Sequence, residues 1–140
     1  VTTLYLANPF VSRKATREWE LCFEKETGTD LINPFYDTER TDILDIDAGR
    51  MDRYAADPDI IVDHDVGLIK KADGILAIVD GSTSVGTIME IVYAFIDSKL
   101  VYLIVTNGEE NHPWLRYHAT KVFTSYTEAL GFFTTEKGLS

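Results

Sequence analysis

The stretch SVGTIMEIVYAF, Ser84 to Phe95, plants one carboxylate, Glu90, in an otherwise almost wholly apolar helical run. Three readings of that carboxylate are open. Thr87, Glu90, Ala94 and Asp97 share one helical face at spacings of three and four, which describes a solvated stripe. Thr87 and Glu90 also fit a capping box, with Thr87 as N-cap and Glu90 folded back onto its backbone N–H. The third reading is a nucleophile. It draws on the preceding loop DGSTSVG, whose backbone N–H groups suit an anion or a sugar. A second acid, Asp65, lies among the apolar positions of IIVDHDVGLI, and Tyr5 and Phe10 flank the end of the first apolar run. Taken singly, Tyr5 also reads as core packing and Asp65 as a surface acid.

The elements that must position these residues follow from the apolar rhythm. TLYLA (3–7), DLINP (30–34), GILAIVD (74–80), LVYLIVT (100–106) and KVFT (121–124) read as strands. Between them, 12–28, 59–72, 86–99 and 125–133 read as helices. Ser12 and Gly28 mark the ends of the first helix, and Ser125 with Glu128 forms a capping box on the last. The polar tract 35–59 has no clear period and is expected to hold a short helix; a loop of that length in a compact domain is usually functional or mobile. Continuous apolar strands alternating with helices predict an α/β fold: one domain, 1–140, with a five-stranded, flavodoxin-like doubly wound parallel sheet and helices on both faces. In such folds ligands bind beyond the carboxyl ends of the strands, so the loops ANPFVS and DGSTSVG should lie side by side.

Composition narrows the partners. The chain is 45% hydrophobic and 26% charged, with a net charge of −10. That charge disfavours nucleic acid polymers and anionic membranes. No apolar run approaches the ~20 residues of a membrane helix, and no signal segment opens the sequence, so the cytoplasm is the expected compartment. Cys22 is the only cysteine, read as a core thiol. Its spacing from the three histidines matches no zinc site, and no metal or cofactor is expected.

Three segments, YLANPF, DVGLIKKADGILAIVDG and GTIMEIVYA, together resemble the nucleoside 2-deoxyribosyltransferase family. Members typically read tyrosine-leucine-alanine-glycine-proline-phenylalanine at the first place. At the last they read aspartate-serine-glycine-threonine, two variable residues, then glutamate-isoleucine-glycine-tyrosine-alanine. The resemblance spans roughly residues 3–133. It implies that Glu90 attacks the anomeric carbon of a deoxyribose, expels the base and forms a glycosyl ester. A second base then attacks with retention of configuration. It also implies that Asp65 is the acid near the base, that Tyr5 orients Glu90 by a hydrogen bond, and that Phe10 lines the base pocket. Asn8, Ser84, Gly86 and Asp80 complete the expected substrate contacts. The implied partners are a small nucleoside or nucleotide and a free nucleobase. A second copy of the chain is implied too, as a homodimer or assembly of dimers with shared sites.

The departures from the pattern bear on the reaction. Asn8 replaces a glycine, Val92 another, and Ser84 an aspartate that contacts substrate. In a related branch that hydrolyses nucleoside 5′-monophosphates, a serine at that place helps hold the phosphate. The overall pattern favours the transferase, and Ser84 favours the hydrolase. Arg13, Arg40, Arg50 and Arg53 are candidate phosphate partners, or exposed arginines paired with Asp47 and Asp52. Trp114, Tyr117 and His118 are candidates for the subunit contact, with buried packing an equal reading for Trp114. A catalytically silent nucleotide-binding module is a further alternative. A receiver-like signalling domain with a phosphorylated Asp80 lacks the acidic pair it needs after strand one.

Overall fold

The computed structural model describes residues 2–139, with side chains through Thr135. Five parallel strands form one sheet in the order β2-β1-β3-β4-β5: β1 (Thr3–Ala7), β2 (Asp30–Ile32), β3 (Gly74–Val79), β4 (Leu100–Val105) and β5 (Lys121–Phe123). This is the flavodoxin-like order expected from the sequence. The strands run in unbroken apolar stretches because both faces of the sheet are covered.

Alternation along each strand sorts the core into two halves. Leu4, Leu6, Leu76, Ile78, Ile104 and Phe123 meet Phe23 of α1 (Arg13–Thr27) and Ala129 and Phe133 of α6 (Tyr126–Leu139). Tyr5, Ala7, Ile75, Ala77, Val79 and Leu103 face the other way. They meet Ile69 of α3 (Pro58–Lys71), Ile91 and Ala94 of α4 (Val85–Ile96), and Leu115 of α5 (Pro113–His118). Tyr5 is therefore turned toward the helices that carry Asp65 and Glu90. Gly74 opens β3 where it crosses closest to its neighbour: an added Cβ would lie 2.6 Å from the Leu100 carbonyl oxygen.

Local chemistry sets the helix ends. Gly28 takes the left-handed conformation (φ 71°) that stops α1, and Pro58 opens α3 behind the Asp57 side chain, which caps it. The start of α4 differs from the capping box expected at Thr87. Ser84 is the N-cap and accepts a hydrogen bond from the Thr87 N–H, which leaves Glu90 free of any capping role. The 35–59 tract contains one α-helix, α2 (Thr41–Asp47), flanked by two short 3-10 turns at Pro34–Tyr36 and Arg53–Ala55.

Cys22 is exposed, contrary to its reading as a core thiol. The buried stripe of α1 runs instead through Thr16, Glu20, Phe23 and Thr27. Among the described residues, no helix is long and apolar enough to cross a membrane.

Candidate active site

β1 pairs directly with β3, with Ala7 opposite Ala77, so the loops that follow them emerge side by side at the carboxyl edge of the sheet. The 35–59 tract lies across this edge. Between them is a cleft of about 480 Å³, within the usual range for a small-molecule site. Its wall takes Asn8 and Phe10 from the first loop, Ser84 and Gly86 from the second, and Asp65 and Glu90 from the helices.

Glu90 is the centre of this arrangement. The Tyr5 hydroxyl, from a fully buried side chain, donates a hydrogen bond to Glu90 Oε2. Burial pushes the Glu90 carboxyl up to about 8 against the pull of that hydrogen bond; the Asp65 charge adds to the rise, and the Arg40 guanidinium opposes it. Burial likewise pushes the Tyr5 hydroxyl well above its ordinary range, so it stays a donor. A solvated stripe produces neither effect.

Asp65 faces the same cleft but is held by other groups. Arg40 Nη1 lies 3.1 and 3.2 Å from its two oxygens, and His64 Nδ1 lies 2.7 Å from Oδ1. Arg40 also spans Asp42, with Nε 2.7 Å from Oδ1 and Nη2 2.9 Å from Oδ2. It is one of the few buried charges among the described residues and not the exposed arginine its surroundings suggested. Of the other arginines, Arg13 does pair with Asp47 but is buried, Arg50 pairs with Asp45 instead, and Arg53 lies over the Phe10 ring with 4.4 Å to the centroid. Arg13 lies over the same ring at 3.9 Å, and Phe35 meets it edge-on. A flat ligand stacking on Phe10 therefore competes with a guanidinium.

Asn8 is buried, and its amide is fixed by donation to the Leu6 carbonyl (3.1 Å) and to Asn33 Oδ1 (3.4 Å). Asn33 in turn donates to the fully buried Glu20. This chain ties the exit of β1 to that of β2, work that a glycine could not do. The Asn8 Oδ1 has no hydrogen-bond partner among the described residues. Ser84 sits at the mouth of α4, with its oxygen already engaged by the Thr87 N–H and 3.1 Å from Thr87 Oγ1. Asp80 is not on the cleft wall; its carboxylate accepts from the Ser82 N–H at 2.8 Å and shapes the loop.

Sequence reasoning missed His64 and Asp37, whose Oδ2 lies 2.9 Å from His64 Nε2. Asp37, Glu39 and His64 place possible metal-ligand atoms within 4.8 Å of one another, but both ring nitrogens of His64 are taken up by carboxylates. The adjacent His64–Asp65 pair is visible in the sequence, while Asp37 lies 27 positions away. Trp114 and Tyr117 are not on the cleft wall and are exposed at 74% and 72%, which removes the buried reading of Trp114.

No family model and no curated protein matches the chain. Solved structures do. The CMP N-glycosidase BcmB of Clostridium botulinum is 20% identical, with a TM-score of 0.60 over 96% of this chain and 99% of that one. A 2-deoxyribosyltransferase of Bacillus psychrosaccharolyticus is 16% identical, with a TM-score of 0.68 over 97% and 96%. A 2-deoxyribosyltransferase of Leishmania mexicana is 16% identical, with a TM-score of 0.62 over 96% and 98%. At these identities the likeness establishes a shared fold along nearly the whole chain.

Proposed function

We propose that the protein breaks and remakes the N-glycosidic bond of a 2′-deoxynucleoside, with Glu90 as the nucleophile. The observation that carries this reading is the Tyr5–Glu90 hydrogen bond beside a nucleoside-sized cleft. A carboxylate beneath C1′ stabilises the oxocarbenium-like transition state and then traps the sugar as an ester. With its carboxyl near 8, only about one Glu90 in ten is ionised in the empty site at neutral pH. Positive charge developing at C1′ favours the ionised form, so the nucleophile gains strength as the bond breaks. The Tyr5 hydroxyl fixes which oxygen attacks, and Asp65 supplies the leaving base with its proton. A second base then attacks the ester from the vacated side and retains configuration. The proteins it resembles in fold, two deoxyribosyltransferases and a CMP N-glycosidase, agree with this chemistry.

Hydrolysis of a nucleoside 5′-monophosphate is the second reading, and two observations favour it. Arg53 lines the cleft without a carboxylate partner among the described ion pairs, and Ser84 stands at the N-terminus of α4 on the same wall.

One chromatographic experiment separates the two. The protein is incubated with a 2′-deoxynucleoside and a different free base, and separately with deoxynucleoside 5′-monophosphates. A new nucleoside in the first mixture establishes transfer. Free base and sugar phosphate only in the second establish hydrolysis. Products in neither, or full activity in Glu90→Ala, defeat the glycosyl-transfer reading altogether.

The reading extends to a homo-oligomer. Ile88, Met89, Val92, Tyr93 and Ile96 leave one face of α4 apolar and open, and Trp114 and Tyr117 of α5 continue it. This area suits a second copy of the chain. Sedimentation should show a dimer or larger assembly that Ile96→Lys dissociates; a wild-type monomer at high concentration rejects the pairing. The reading takes the cytoplasm as the compartment in which the protein acts, which cell fractionation tests directly.

A further inference from the structure

His64 precedes Asp65 on α3, and its ring is clamped between two carboxylates, with Nδ1 on Asp65 and Nε2 on Asp37. The side chain is only 10% exposed. A neutral imidazole offers one N–H and one bare nitrogen, so one contact would then set a lone pair against a carboxylate. The imidazolium, with an N–H on each nitrogen, serves both. Arg40 is the other partner of Asp65, and a guanidinium does not surrender its proton. The partner of Asp65 that carries a transferable proton is therefore His64. The Glu39 N–H first, and His64 itself, hold the Asp37 carboxyl below its usual range and so keep it an anion behind the ring. Glu39 also lies near, while Lys71 acts on Asp37 from the end of α3.

We propose that His64 is the proton store for the leaving base, acting through Asp65 as a positioning residue that does not touch the substrate. The inference rests on the reading of the cleft as a glycosyl-transfer site. As the C1′–N bond breaks, its electron pair goes to the base. Asp65 passes a proton to the base nitrogen and takes the Nδ1 proton of His64, leaving a neutral ring whose Nε2–H stays on Asp37. When a second base or water attacks the ester, the C1′–O bond to Glu90 breaks and the carboxylate is released. The proton shed by the attacker returns through Asp65 to Nδ1. Counted from the ionised form of Glu90, which both opens and closes the cycle as a carboxylate, one proton cycles within the site and none is gained or lost over a turnover.

The test compares leaving groups. Turnover of wild type and His64→Gln is measured on a 2′-deoxynucleoside and on its analogue with a readily departing base. That analogue carries an N7-methylated purine or a 5-fluorinated uracil, according to the class the wild type accepts. A lost proton donor costs roughly 100-fold on the ordinary base and only a few-fold on the activated one. Equal losses on both, or none on either, overturn the proposal. A wild type inactive on every nucleoside and nucleotide overturns the reading of the cleft instead. Asp37→Asn keeps an oxygen for Nε2 but removes the charge that supports the imidazolium. Its turnover should therefore fall more on the ordinary base than on the activated one; equal losses on both count against the store.

Discussion

Replacing Glu90 with glutamine should stabilise the protein while abolishing its chemistry, and the stabilisation should grow with pH. The folded state holds the Glu90 proton far more tightly than the unfolded chain, with its carboxyl at about 8 against an ordinary 4.5. The stability contributed by this group is therefore fully present below about pH 4.5 and is lost as pH rises through about 8. Glutamine has no proton to lose, and its oxygen can still accept from Tyr5. Each pH step over which the folded protein keeps that proton and the unfolded chain has shed it is worth about 1.36 kcal/mol. The gap between Glu90→Gln and wild type should therefore widen by about 3–4 kcal/mol from pH 5 to pH 8. Urea unfolding followed by tryptophan fluorescence at each pH, with the slopes compared to confirm that only the midpoint moves, reads this directly. A gap that stays constant or narrows with pH would falsify the account of a half-buried, proton-retaining nucleophile. A gap that widens without loss of turnover would separate the electrostatics from the proposed mechanism. Active sites commonly carry such a cost, because the strain that makes a group reactive opposes folding.

Two other substitutions probe its neighbours. Tyr5→Phe removes its hydrogen bond to Glu90, and it should lower turnover about 10–100-fold while costing only about 1 kcal/mol of stability. The rise of kcat/KM with pH should also shift to higher pH, since the hydrogen bond pulls the carboxyl down; a profile that stays put contradicts this. Arg40→Met strands Asp42 and Asp65 in largely buried positions, and a loss of about 3–5 kcal/mol is expected in urea at pH 7. A loss under about 1 kcal/mol would mean the guanidinium does not fasten the 35–59 tract to α3.

The sheet was legible because each strand is a continuous apolar run, and the two faces of a covered parallel sheet leave that signature. Glu90 was legible for the opposite reason, as a carboxylate breaking an apolar helix. Cys22 misled because α1 buries Glu20 and Thr16 while turning Leu21 and Cys22 to water, an inversion that hydrophobicity alone does not reveal. Glu20 can lie inside because Arg17, one turn back on α1, and Asn33 satisfy its oxygens, and Asn33 meets it only in the fold. Thr87 was a plausible cap, but Ser84 begins the helix one turn earlier and claims the Thr87 N–H for itself. His64 escaped notice, and Arg40 was not read as the partner of Asp65, because Asp37 and Arg40 are carried to α3 by an aperiodic tract whose path no local pattern encodes.

α4 carries Glu90 toward the cleft and an open apolar stripe, ending at Ile96, toward the outside. The helix is 12 residues long, so any load on the stripe bears within two turns on the backbone that aims the nucleophile. Assembly and reactivity then share a single lever arm. If a second copy seats there, specific activity becomes a property of protein concentration, falling on dilution as copies part and recovering on reconcentration.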